Sequence, residues 1–302
     1  MKLKDIGEFG FIERLKSIVK YDKRVIVGIG DDAAVVKYTR DKYLLVTTDM
    51  LIEDVHFKLS TATPYQIGHK AIACNISDIA AMGGIPKYAV VSIGIPGKMD
   101  LRFSDELYRG LNRTARRFGI NIIGGDTNSS KKVVINVTLL GVVRKKELVL
   151  RSGAKFTDSI YVTGRLGGSI HGKHLNFTPR LKEAQYLVKN FNVRSMIDIS
   201  DGLIQDLGHI LEKSKVGAVL YERRIPISRE GKTIDHALYD GEDFELLFIH
   251  PRRGEKKLKS AISRGKIDAV YIGYIVREER GIELIGKSGR TRRLRPKGWT
   301  HF

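Results

Sequence analysis

Six short segments set carboxylates beside Gly, Ser, Thr or Asn at the ends of apolar runs: GIGDDAAVV, VTTDM, NISDIAAMGG, IIGGDTN, MIDISDGL and YDGEDFELL. Carboxylates of this kind are oxygen ligands for a hard divalent cation such as magnesium. Magnesium keeps several waters and commonly bridges carboxylates to phosphates. In GIGDD (Gly28–Asp32) the glycines allow close backbone approach to a ligand, and two carboxylates follow at once. In TTDM, Asp49 could ligate a metal, with a hydroxyl or carbonyl oxygen from Thr47 or Thr48. Asn75 and Asp78 lie three apart in an apolar helix and so share a face. A buried carboxylate there needs a partner: a metal, Lys70 or a backbone cap. In MIDISDGL, Asp198 should end a strand and Asp201 should open a helix, whose free N–H groups also suit phosphate oxygens.

Each segment has an ordinary alternative. GIGDD could be a Gly-Asp turn, TTDM a strand end with an Asx turn, and Ser200 or Asp201 a plain N-cap. His56, read alone in EDVHF, is more readily structural, and Cys74 is a small core residue. GRLGGS (Gly164–Ser169) only loosely resembles a dinucleotide loop. No Walker motif, protein-kinase signature set, G-x-S-x-G or Cys/His zinc spacing occurs.

The elements that must carry these residues follow from apolar periodicity. Strands are expected at Val25–Gly28, Tyr43–Thr48, Tyr88–Ile95, Val133–Val143, Ser159–Thr163, Phe244–His250, Val270–Val276 and Gly281–Leu284. Helices are expected at Pro64–Met82, Leu181–Asn190, Asp201–Lys213 and near Glu255–Arg264. Another should span Ser104–Phe118, with Ser104 as N-cap, Leu107, Leu111, Ala115 and Phe118 as its stripe, and Gly119 as its end. This is a mixed α/β chain in two halves, 1–145 and 146–302.

Composition narrows the setting. The net charge is +19, but Lys and Arg are spread along the chain, with a local excess in GKSGRTRRLRPKGWTHF. That spread suits a solvated basic surface attracting phosphorylated small molecules better than a nucleic-acid-binding block. No apolar run is long enough for a transmembrane helix, and the first residues lack an apolar signal core. The single cysteine permits no intrachain disulfide. A cytoplasmic setting without a membrane partner is expected.

As an ordered set, GEFGFIERL, GIGDDAAVV, TTDMLIEDVHF, HKAIACNISDIAAMGGIP, GGDTN, RSGAK, DISDGLIQDLGHI, GEDFELLF and KGWTHF resemble thiamine-monophosphate kinase. That family lies within the aminoimidazole ribonucleotide synthetase-like superfamily. The resemblance implies a two-domain α/β (α+β) fold, with mixed sheets flanked by helices. Residues 1–145 would carry the ATP and magnesium site and the dimer contacts. It implies ATP-dependent phosphorylation of thiamine monophosphate to thiamine diphosphate, several magnesium ions, and a homodimer whose clefts are shared with the partner. Carried over, Asp32, Asp49, Asp78, Asp126 and Asp198 would ligate magnesium with help from Thr47 and Thr48, and Asp201 would bind a further ion. Tyr108, Gly125, Asp126, Arg151 and Ser200 would contact ATP. His56, Glu242 and Trp299 would hold thiamine monophosphate. The alternatives are another ATP-using member of the superfamily, a non-catalytic ATP-binding subunit, or a basic nucleic-acid-binding protein.

Overall fold

Alternating and continuous apolar runs produce two different kinds of sheet in the two halves of the chain. The structure, a computed structural model, describes residues 2–299. The last three residues of the KGWTHF segment lie outside the described residues.

After helix α1 (Leu3–Ile18), the first half forms β1 (Val25–Val27), β2 (Ala34–Lys37), β3 (Lys42–Ile52), β4 (Ile85–Ile95), β5 (Asn121–Ser129) and β6 (Val134–Arg144). These pair in the order β1-β2-β3-β6-β4-β5. β3 and β6 run antiparallel in unbroken register from Lys42↔Arg144 to Ile52↔Val134. Side chains along a strand alternate between faces. Leu45, Thr47 and Leu51 therefore turn inward and are buried, while Thr48 and Met50 face out and are exposed.

The inner face is covered by α2 (Pro64–Ala81) and α3 (Leu101–Arg117). α2 starts on a capping box between Thr63 and Gln66, with Pro64 in its first turn. α3 begins earlier than the sequence suggests. Asp100, not Ser104, is its cap: the Asp100 carboxylate accepts the Arg102 amide at 2.7 Å. Ser104 lies inside the helix because this stronger acceptor stands one turn upstream. Leu107, Leu111 and Ala115 form the buried stripe, and Gly119, at φ +69°, follows the helix end.

The second half forms β7 (Ser159–Thr163), β8 (Ser195–Asp198), β9 (Val216–Tyr221), β10 (Leu246–His250), β11 (Ala269–Arg277), β12 (Ile282–Ile285) and β13 (Thr291–Leu294). Their order is β13-β12-β9-β11-β7-β10-β8. Helices α4 (Lys173–Asn176), α5 (Leu181–Asn190), α6 (Leu203–Ser214), α7 (Ile234–Tyr239) and α8 (Glu255–Ser263) accompany it. Strands β7 and β10 and the edge strand β8 are buried on both faces. Ile160, Val162, Ile197 and Leu247 pack with Leu203 and Leu207 of α6, while Tyr161, Met196 and Phe248 pack with Leu187 of α5 and Leu258 of α8. That is why SIYVT, SMID and LLFIH read as continuous apolar runs. Among the described residues, no helix is long and apolar enough to cross a membrane.

α2 joins the halves. Ile72, Ile76 and Ile79 belong to the first core, whereas Ala80 and Ala81 pack with Tyr161 and Phe248 of the second. Phe177 stacks on Phe244 at 4.0 Å between ring centroids, beside Ala73 and Cys74. α2 and α3 cross through reciprocal glycines. A Cβ on Gly68 would meet the Leu107 carbonyl at 2.0 Å, and one on Gly110 the Tyr65 carbonyl at 2.0 Å. Gly68→Ala should therefore lower stability by about 1–3 kcal/mol through overpacking. Gly97→Ala, where added volume meets nothing within 4 Å, should be nearly neutral. Urea midpoints of the two variants test this; equal midpoints would refute the tight crossing.

Candidate active site

Strand alternation, a helix and two strand ends gather carboxylates at a cleft of about 980 Å³, which Asp49, Asp78 and Asp198 line and beside which Asp32 is buried. β3 turns Thr47 and Asp49 to its inner face, and α2 brings Asp78 opposite them. The turn after β1 supplies Asp31 and Asp32, and the end of β8 supplies Asp198. Carboxylate oxygens of Asp32, Asp78 and Asp198 lie within 4.8 Å of one another, and Asp32 and Asp198 are buried. Thr47 donates its hydroxyl to Asp78 at 2.5 Å, and Ser77 donates to Asp198 at 2.6 Å. Arg151 donates to one oxygen of Asp32 through Nη2 at 2.6 Å and Nε at 3.2 Å. Its amide also reaches the Asp31 carboxylate. The other Asp32 oxygen is buried without a partner among the described residues.

Proximity and dryness disfavour ionisation of these groups. Burial, then the charges of Asp49 and Asp198, push the Asp78 carboxyl well above the usual range. Burial and then Asp32 raise Asp198 to about 8 and Asp49 to about 6. Asp31 rises to about 7 for the same two reasons. Burial works against the Arg151 charge, yet the adjacent Asp32 holds its pKa above the ordinary arginine value. The donor set is all oxygen, several carboxylates converge, and one buried oxygen has no partner among the described residues. That set fits a hard divalent cation.

A second group adjoins the first. Asp201, Asp206 and His209 offer ligand atoms within 4.8 Å of one another. Asp206 accepts the amides of Asp201 and Gly202, both at 3.1 Å, and so holds the entry to α6. Burial drives the His209 pKa down to about 4, with Arg151 adding to the effect. The sequence reading passed over Asp206 and His209. Their three-residue spacing in QDLGH was the available signal.

At the other end of the cleft stand His56, Glu242 and Trp299. Lys70 of α2, wholly buried, binds this end together. Its ammonium donates to both Glu242 oxygens, at 2.5 and 2.6 Å, and to the His56 carbonyl at 2.8 Å. The Ile52 amide donates to His56 Nδ1 at 3.0 Å, so the neutral ring carries its proton on Nε2. Glu242 stands at φ +64°, and its amide donates to the Ser200 carbonyl at 2.6 Å. The Trp299 amide reaches the Asp201 carbonyl at 3.1 Å, and its side chain is about half exposed, at 52%. Ser200 and Asp201 line the same cleft.

Three residues singled out in the sequence, Asp126, Gly125 and Tyr108, stand apart, and Thr48 lines the cleft without turning its hydroxyl to the carboxylates. The Thr48 hydroxyl lies on the opposite face of β3 from Thr47 and meets Asn136 at 3.2 Å and Thr138 at 3.1 Å. Only Thr47 turns its hydroxyl to the carboxylates. Asp126 is exposed on β5, where Asn128 donates to it at 2.6 Å. β5 is the sheet edge, three strands from β3, or about 14 Å at ordinary strand spacing. Gly125 packs against the Val91 carbonyl of β4, and a Cβ there would sit 1.8 Å from it. Tyr108 is partly exposed on α3, and burial raises its phenol pKa.

The model for AIR synthase related protein, N-terminal domain, matches residues 30–143, and that for the C-terminal domain matches residues 146–285. Thiamine-monophosphate kinase of Buchnera aphidicola subsp. Schizaphis graminum is 37% identical, with 99% of each chain covered. The enzyme of Aquifex aeolicus is 34% identical, with 100% of each covered. Among solved structures, AaThiL complexed with AMPPCP and TMP superposes with a TM-score of 0.85 at 33% identity, covering 100% of this chain and 99% of that one. Hydrogenase maturation protein HypE in complex with ATP, at 20% identity and a TM-score of 0.70, shares the fold. The two-sheet architecture is the one the motif set implied, and the chain belongs to the thiamine-monophosphate kinase family.

Proposed function

We propose that the aspartate cleft holds magnesium against the phosphates of ATP, while the Lys70-bound end of the cleft receives thiamine monophosphate. The family activity is ATP-dependent phosphorylation of thiamine monophosphate to thiamine diphosphate. The observation that carries the site reading is the convergence of Asp32, Asp78 and Asp198 from both halves of the chain, with one buried Asp32 oxygen left without a partner among the described residues. The related AaThiL structure is complexed with AMPPCP and TMP, which supports a fold that takes both ligands.

In this reading Asp32, Asp49, Asp78 and Asp198 ligate magnesium, with the Thr47 hydroxyl fixing Asp78. Asp201, with Asp206 and His209 beside it, supplies a further position. Bound magnesium would neutralise the phosphate oxygens. Arg151 adds positive charge at the same end, and Ser200 lies between the two ends. The acceptor is already a phosphate, so no protein base is needed to activate it at neutral pH. The work of the chain is alignment: His56, Glu242 and Trp299 orient the acceptor toward the carboxylate end. Trp299 offers a ring for stacking.

Asp126, Gly125, Tyr108 and the Thr48 hydroxyl fit if the active form is a homodimer. Met50, Tyr88 and Ile123 of the first sheet are exposed at 51%, 47% and 59%. The nine residues of β5 leave an unprotected sheet edge. A second copy seated on this surface would cover it and set Asp126 against the partner's cleft.

Three tests follow. Purified protein with ATP, magnesium and thiamine monophosphate should form thiamine diphosphate. Asp198→Asn, which keeps the shape and the Ser77 contact, should lower turnover about a hundredfold or more. Product from the variant at the wild-type rate would remove Asp198 from the metal site.

Stability should also track pH. The raised carboxyls hold more protons folded than unfolded, from their ordinary value of 3.8 up to about 8. Without metal, stability must therefore fall as pH rises through that window. Magnesium, which replaces those protons, should raise Tm more at pH 8 than at pH 5. Melting curves with chelator and with magnesium measure this, and an equal rise at both pH values would count against the metal assignment.

Tyr88→Arg combined with Ile123→Arg, neither of which lines the cleft, should give a monomer by light scattering, with turnover largely lost. A wild-type monomer, or a fully active monomeric variant, would end the shared-cleft reading.

A further inference from the structure

A second cavity, of about 380 Å³, shares no lining residue with the cleft. It lies over β7, β9 and β11, beside α8. Its floor is aromatic: Tyr271 stands edge-on to Tyr161 at 5.6 Å, and Tyr221 lies 6.3 Å from Tyr271 and 6.0 Å from Tyr274. Its rim is cationic. Arg224 sits 5.2 Å from the Tyr271 ring and 5.8 Å from Tyr221, and Lys259 sits 5.6 Å from Tyr271. Lys259 is paired with Glu255 at 3.1 Å, and Glu255 also accepts from Ser159 and Tyr161. Arg224 and Arg252 have no carboxylate partner among the described residues, and both are exposed.

The wall of this cavity carries two local costs. Residues 155–158 form a tight turn closed by the Asp158 amide on the Lys155 carbonyl at 3.0 Å. Its third residue is Thr157, at φ +74°. Glycine or asparagine takes that position easily, whereas a β-branched residue is strained there. The second residue is Phe156, a large apolar side chain held 58% exposed at the cavity. Strain and exposed apolar surface of this kind concentrate at binding sites.

We infer that this cavity binds a small phosphorylated aromatic compound of the nucleotide class, apart from the catalytic cleft. The ring would lie against Phe156 and the tyrosine floor, and the phosphates would meet Arg224 and Arg252. The volume is that of a small-molecule site. Glu255 within the lining disfavours a continuous phosphate backbone, which points to a free nucleotide over a nucleic-acid strand. The inference does not rest on the kinase reading of the other cleft.

Isothermal titration with ADP tests it. Phe156→Ala and Arg252→Ala should each weaken one ADP binding event at least tenfold and leave thiamine diphosphate production within twofold of wild type. Asp198→Asn should leave that same event unchanged. Adenosine and pyrophosphate, each carrying half of the ligand, should bind more weakly than ADP. ADP binding unaltered by either cavity variant would overturn the inference. So would binding of a single-stranded RNA across this face without binding of ADP.

Discussion

The structure is organised around one unfavourable fact: aspartates from distant parts of the chain are pressed into one partly dry cleft with too few cations. Asp31, Asp32, Asp49, Asp78 and Asp198 all have their carboxyl pKa values raised by burial. Two like charges about 4 Å apart repel by about 4 kcal/mol at an effective dielectric of 20. A domain has only about 5–15 kcal/mol of net stability to set against such terms. Arg151 answers Asp32, and Lys70 is engaged by Glu242. The rest must be met by protons or by added cations. The +19 of the whole chain does not remove this local excess, because surface lysines are screened from a buried carboxylate.

That constraint explains why α2 is built as it is. It presents Asp78 and Ser77 to the carboxylates and Lys70 to Glu242 and His56, and it belongs to the cores of both halves. A helix that fixes both ends of a cleft cannot slide. The backbone contacts at Gly68 and Gly110 lock it against α3, while the inner face of β3 holds it from the other side. Rigid alignment is the main service such a site can offer when the acceptor needs no deprotonation.

What was legible in the sequence divides along physical lines. The end of β8 was readable because an apolar run must stop where a carboxylate turns toward water or a ligand, and Asp198 marks that point. Asp49 marks no such end, because β3 runs on through it to Ile52 in unbroken pairing with β6. The Gly119 helix end was readable because its φ of +69° suits glycine. Ser104 misled as a cap because N-cap preference alone does not rank it above Asp100, one turn earlier. Thr47 and Thr48 looked equivalent as oxygen donors, yet strand alternation allows only one of them to share a face with Asp49. Lys70 is fully buried against a residue 172 positions away, and no local pattern reports such a pairing. Asp206 and His209 were hidden by the more conspicuous Asp201 in the same segment.

The motif set and the single chain disagree about GGDTN. Its resemblance groups Asp126 with the buried aspartates, yet in one chain it stands exposed on an edge strand. Along the first sheet Asp126 pairs with Ser92, Ser92 with Asn136, and Asn136 with Met50. Residues in one such row share a face, so Asp126 belongs to the outer face with Met50, not to the inner face with Asp49. No rotation of a side chain moves it through the sheet. If Asp126 serves the same chemistry as Asp49, the route is across the outer face, to a cleft that another copy of the chain supplies. The uncovered Met50 and Tyr88 on that half of the molecule are the apolar surface such a contact needs.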